Sequence, residues 1–195
     1  FSIAGEFSFQ LGFPKGIPVL TVVLGSVSVS NPAGFDGEDL FHVSKMSAQI
    51  RLWPLLWGHV EPYSMTLEQP MIRLVRGDHN QTNWQHLFGA VSHSDDDLVD
   101  EWDLLSNFAA IATLGLNIMD GTVQWTDKSK VRDLTLSRVD FRMGSLEKRH
   151  QADLQIQFDA ISSVFRRPMS IVAESKVERE SGFERIRLER LLATV

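Results

Sequence analysis

The chain has 195 residues, 43% of them hydrophobic, and sets 19 basic against 25 acidic side chains for a net charge of -6. That is enough apolar material for one domain or two small ones. The acidic balance, with no Lys/Arg block interleaved with aromatics, argues against a nucleic-acid surface, and the absence of cysteine removes disulfides, thiolate metal sites and cysteine nucleophiles.

Short alternating segments recur from one end to the other. Period-two patterning predicts strands at 3–9, 20–29, 43–52, 60–67, 71–76, 114–119, 122–126, 134–143, 153–160, 169–177 and 183–192. The clearest is 153–159, where Leu154, Ile156 and Phe158 take every second place. Between the third and fourth strands, Pro54 in a first turn and Gly58 at the stop give a helical turn over 53–58. After the fifth, Thr82 and Gln85 form a capping-box pattern, and Trp84, Leu87, Phe88 and Val91 follow helical spacing, which predicts a helix of about three turns.

Two segments share one template 51 positions apart. Met65, Leu67, a Gln69-Pro70 break, Ile72 and Leu74 correspond to Leu116, Ile118, Asp120-Gly121, Val123 and Trp125. Each reads as strand, tight turn, strand: a repeated hairpin with one apolar side. A second echo lies at 112 positions, where Val22, Leu24, Val27 and Val29 precede Leu134, Leu136, Val139 and Phe141. In both copies the alternation slips midway, as bulges at Gly25-Ser26 and Ser137-Arg138 produce. Nested similarity of this kind points to a repeat architecture.

Chemistry finds little footing. The acidic run from Asp95 to Asp103 lacks the Gly and the terminal Glu of an EF-hand loop and reads as a solvated loop. His79, His86 and His93 fall on a helix and two flanking loops, so zinc spacing is accidental. No nucleophile elbow, phosphate loop or zincin helix is present, and carboxylate pairs such as Glu61 with Glu68 sit on the polar sides of strands. The sequence supports no enzyme, no metal and no cofactor.

From Val43 to Trp84 the order is strand, Leu52-Trp-Pro54-Leu55-Leu56-Trp-Gly58, strand, Met65-Thr-Leu67-Glu-Gln-Pro70-Met-Ile72-Arg-Leu74, then Gly77 and Asn83-Trp84. Upstream lie Ile3-Ala-Gly5, the strand through Val29-Ser-Asn-Pro32, and Gly34-Phe35; downstream lie Asp120-Gly121, Trp125-x-Asp127 and the strand at Leu134. This arrangement resembles the N-terminal region of the AsmA family of bacterial envelope proteins, over most of residues 1–145 and more weakly beyond. The resemblance implies a body in the periplasm of a Gram-negative cell, held at the inner membrane by an N-terminal helix. It also implies repeating β-grooves that pass phospholipids toward the outer membrane, in keeping with outer-membrane biogenesis. A chain starting at Phe1 and ending in an apolar run reads, on that expectation, as a piece of a longer polypeptide.

The expected fold is therefore mainly β, a curved antiparallel sheet forming an open apolar groove with one or two short helices. Residues 1–91 form a first groove segment closed by the capping helix, 92–107 an acidic loop, and 108–195 a continuing segment. The expected lipid-binding wall is Met65, Leu67, Ile72, Leu74, Leu116, Ile118, Val123, Trp125, Leu134, Leu136, Val139, Phe141, Leu154, Ile156 and Phe158, with Trp84, Leu87 and Phe88 capping a groove end. Eleven strands at about 4.8 Å each extend roughly 50 Å. Expected partners are phospholipids, the inner membrane through its anchor, and envelope proteins. The competing reading is a closed β-fold, two sheets burying each other, that serves assembly by binding envelope proteins.

Overall fold

The computed structural model describes residues 2–35, 37–77, 81–85, 115–144, 151–164, 167–180 and 183–194. They form a mainly β structure with eleven strands in one sheet. In chain order these are β1 (Ser2–Gly12), β2 (Val19–Val29), β3 (Phe41–Val43), β4 (Lys45–Arg51), β5 (Pro62–Glu68), β6 (Met71–Arg76), β7 (Leu116–Asp127), β8 (Arg132–Met143), β9 (Gln151–Ser162), β10 (Met169–Glu180) and β11 (Phe183–Thr194). Among the described residues a 3-10 turn spans Pro14–Gly16 and a short helix, α1, spans Leu52–Leu56.

The pairing differs from the expected hairpins in an instructive way. β5 and β6 do not pair with each other. They follow one another in one row, β5 against β4 and β6 against β3, both antiparallel. β3 and β4 likewise share a row along β2. Eleven strands thus fill nine rows, and at about 4.8 Å between rows the sheet extends roughly 40 Å, less than a simple count of strands gives. The second expected hairpin is the single strand β7, which runs parallel to β5 and β6, so the sheet is mixed and not purely antiparallel. Here the offset of 51 acquires its physical meaning: Met65 pairs with Leu116, Leu67 with Ile118, Ile72 with Val123 and Leu74 with Trp125. The repeat is the register of a parallel ladder.

What looked like a turn is a kink carried by neighbouring rows. Gln69, Asp120 and Arg138 adopt left-handed backbone, with φ of 51, 53 and 51°. Each is accompanied by a break or register shift: between β5 and β6, near Gly121 in β7, and between Ser137 and Asp140 of β8 against β9. The slip at Ser137-Arg138 is thus where alternation places it. At Gly25-Ser26 the additional residue sits instead on β1, where register shifts between Ala4 and Phe7 and Gly5 has φ of 107°. Because a one-residue bulge reverses the facing of everything beyond it, rows that bulge together keep their apolar residues on one side. β9 needs no bulge, since its ladder to β10 is unbroken from Ala160 to Gln151.

Val27, Val43, Pro70 and Gly121, along this crease, are all buried. A Cβ on Gly121 would lie 3.1 Å from Ile118 Cγ2 and 3.3 Å from both Pro70 Cγ and the Val139 carbonyl, so any side chain there requires its neighbours to give by a few tenths of an ångström. A smaller cluster joins Met143 and Ala152 to Phe141 and Leu154. Of the predicted helices, α1 confirms the turn at Pro54, with Gly58 at φ 78° taking up the stop. The helix expected after Thr82 and the acidic stretch lie largely outside the described residues, as do His79, His86 and His93.

Candidate functional site

Paired residues in a sheet point to the same side, so the register alone maps the two faces. On one side of the crease, Ala48, Met65, Leu116, Met143 and Leu154 follow one another across the rows, and beside them run Leu24, Met46, Leu67, Ile118, Phe141 and Ile156. Beyond the crease the sequence is Val29, Phe41, Ile72, Val123, Leu136 and Ala160, with Leu74, Trp125 and Leu134 next to it. Val139 pairs with Gly121 at the crease, and Phe158 continues the alternation of β9. The structure therefore brings the fifteen wall residues together on one face.

That face reaches further than the fifteen residues. It takes in Phe7, Phe9 and Leu11 of β1, paired with Leu24, Val22 and Leu20, and then Met46, Ala48 and Ile50 of β4. Their alternation is plain in the sequence, within the strands expected at 3–9, 20–29 and 43–52. Leu116 is buried and the other wall residues are half-buried. Among the described residues no second sheet lies over them. Trp84 is half-buried beside Asn83, next to the interior strand β6 rather than at an outer edge of the sheet. Leu87 and Phe88 lie outside the described residues.

The opposite face is polar and laced with hydrogen bonds. Arg73 Nε donates to Gln124 Oε1 at 3.2 Å and Gln69 Nε2 to Asp120 Oδ2 at 3.3 Å, both pairs 51 residues apart. Ser64 Oγ donates to Gln49 at 2.9 Å, and Lys45 meets Glu68 at 2.7 Å. At the β8 kink Asp159 accepts from Ser170 and Arg138, and these bonds, Ser170 first, hold its carboxyl below the usual carboxylate range. On the apolar side, two residues beyond Trp125, Asp127, 1% exposed, ends the parallel ladder. It accepts from Ser129 Oγ at 2.6 Å and the Lys130 amide at 3.2 Å, and the Ser129 bond is the main cause of its lowered pKa, against the opposing effect of burial.

Two of the residues that carry the resemblance, Asn83 and Asn31, fasten the sheet. Asn83 is buried, accepts from the Val75 amide at 2.8 Å, and donates to the Arg73 carbonyl and to Asn31 Oδ1, both at 2.8 Å. Asn31 in turn donates to the Glu38 carbonyl. Among the described residues no three metal-ligating side chains converge, and no helix is long and apolar enough to cross a membrane.

No curated protein matches this chain. The family model described as "AsmA family" matches residues 2–181. The chain therefore belongs to the AsmA family, which is not a known enzyme family and whose membership supports a family-level role in the cell envelope and in lipid transport.

Proposed function

We propose that this chain is a periplasmic lipid-binding segment that takes phospholipid acyl chains onto its apolar face on their way from the inner to the outer membrane. In this reading the face lines a groove, phospholipids are its partners, and the inner membrane is its anchor. One observation carries it: from β1 to β9 one apolar face continues from row to row, exposed on β1 and half-buried over most of the others, while the reverse face carries the polar pairs. Each methylene moved from water onto such a surface gains up to about 0.8 kcal/mol, so a wall without gaps lets a chain pass from row to row with little cost at any step. Headgroups stay in water, and no bond is made or broken.

The test places a photo-crosslinking residue at Ile118, on the apolar face, or at Gln155, on the polar face, in the full-length protein in living cells. Phospholipid captured at Ile118 and not at Gln155 is the expected result. No lipid at Ile118 in folded protein, or equal capture at both, overturns the reading and leaves a module that binds envelope proteins. Ile118→Asp gives a second readout. A half-buried position lets the carboxylate reach water, so the expected loss of stability is about 1–2 kcal/mol, whereas a closed core loses several.

A further inference from the structure

The β1–β2 connection and the β4–β5 connection leave the same end of the sheet side by side, because β2 pairs with both β1 and β4. The Leu52 amide donates to the Pro18 carbonyl at 3.0 Å and ties them together. Between them they hold out Phe13, Trp53, Leu56, Trp57 and Val60, each more than half exposed, with Phe13 at 71% and Trp57 at 70%. These are built tips. In the first, Lys15 and Gly16 turn the chain with φ of 50 and 79°. In the second, α1 stops at Gly58, and the base is clamped twice, by Arg51 N–H on the Glu61 carbonyl at 2.9 Å and by the Arg51–Glu61 ion pair at 3.2 Å.

A cluster of large apolar side chains held in water needs an occupant. Charge points to which one. The chain carries 25 acidic residues, yet residues 7–20 and 52–60 contain none, and Lys15 is the charged side chain in them. An anionic bilayer repels an acidic chain on the whole, whereas these tips, with Lys15 and the Arg51–Glu61 pair at their base, add no net negative charge against it. Tryptophan and phenylalanine are the residues that settle at the headgroup level, with rings in the apolar region and the indole N–H toward water. A helix of five residues lies in that layer without spanning it. From Phe13, the exposed Leu11, Phe9 and Phe7 lead along β1 directly onto the apolar face.

We propose that these two tips dock on the surface of an anionic phospholipid bilayer, seating Phe13, Trp53, Leu56 and Trp57 among the headgroups. The docking does not require lipid uptake on the sheet and stands or falls separately from it. The probe is purified chain with vesicles of phosphatidylcholine containing about a quarter phosphatidylglycerol, read by co-sedimentation and by quenching of tryptophan emission with brominated acyl chains. Wild type is expected to sediment and to be quenched. Trp53→Ser/Trp57→Ser is expected to bind about tenfold more weakly with an unchanged melting curve, since both rings are exposed. Trp53→Phe/Trp57→Phe keeps binding and loses most of the quenching. Val131→Ser/Val164→Ser, exposed at the opposite end of the strands, binds like wild type. Wild type that ignores vesicles overturns the proposal and leaves a protein partner or a second copy as the occupant. Serine variants that sediment like wild type overturn it as well.

Discussion

Asn83 stands in for a strand that has ended. β3 pairs with β6 only at Phe41 and His42; the Arg73 amide then bonds to the Leu40 carbonyl, and beyond it the side chain of Asn83 takes the Val75 amide and the Arg73 carbonyl. An amide side chain is the one that copies both groups of a peptide. Asn83→Ala leaves these buried groups unpaired, and the expected cost is about 2–4 kcal/mol, read from the urea midpoint. Asn83→Asp is expected to be no rescue, since a carboxylate cannot donate to the Arg73 carbonyl. Equal stability of the alanine variant and wild type would show that water replaces the side chain. The sequence showed Asn83 only as part of a motif: a buried amide cannot be told from a solvated one by its neighbours.

At the scale of elements, the crease couples rows that are far apart in the chain. Gln69, Asp120 and Arg138 bend three successive rows with the same left-handed step, and Gly121 sits where the rows come closest. Gly121→Ala pushes a methyl into Ile118, Pro70 and the Val139 carbonyl, and backbone on one side cannot yield; about 1–3 kcal/mol of destabilisation is expected, measured by thermal melting. Alternation gave the strands, their apolar face and the slip at Arg138 correctly. It gave the wrong joints. Gln69-Pro70 and Asp120-Gly121 have the residues of tight turns, and nothing local distinguishes a chain that folds back from one that kinks and continues. That these residues share one face was nonetheless legible, because a bulge that is shared preserves facing, and facing is what a period of two records. The missed share of the face, in β1, β2 and β4, carried the same signal.

At the scale of the whole molecule, two carboxylates among the described residues link stability to acid. Asp127 and Asp159 both ionise more readily in the folded state than in an unfolded chain, where Asp titrates near about 3.9. As pH falls toward and below that value, the unfolded chain binds more protons than the folded one, so stability is complete above the unfolded pKa and declines as pH drops through the folded values. Asp127→Asn is expected to be less stable at neutral pH and to show a flatter acid limb, because its bonds to Ser129 and Lys130 no longer depend on a proton. Melting temperature followed from about pH 6 to about pH 3 checks this, and parallel acid limbs for the two proteins would refute it.

The parallel joint between β6 and β7 has a further consequence. A hairpin measures its alignment by the length of its turn, but no turn measures this one. Alignment comes from matched kinks and from cross-rung pairs such as Arg73 with Gln124 and Gln69 with Asp120. The two halves of the sheet therefore align through their matched edges, and two separate polypeptides cut between those strands are expected to find the same alignment, which co-purification of the two halves checks.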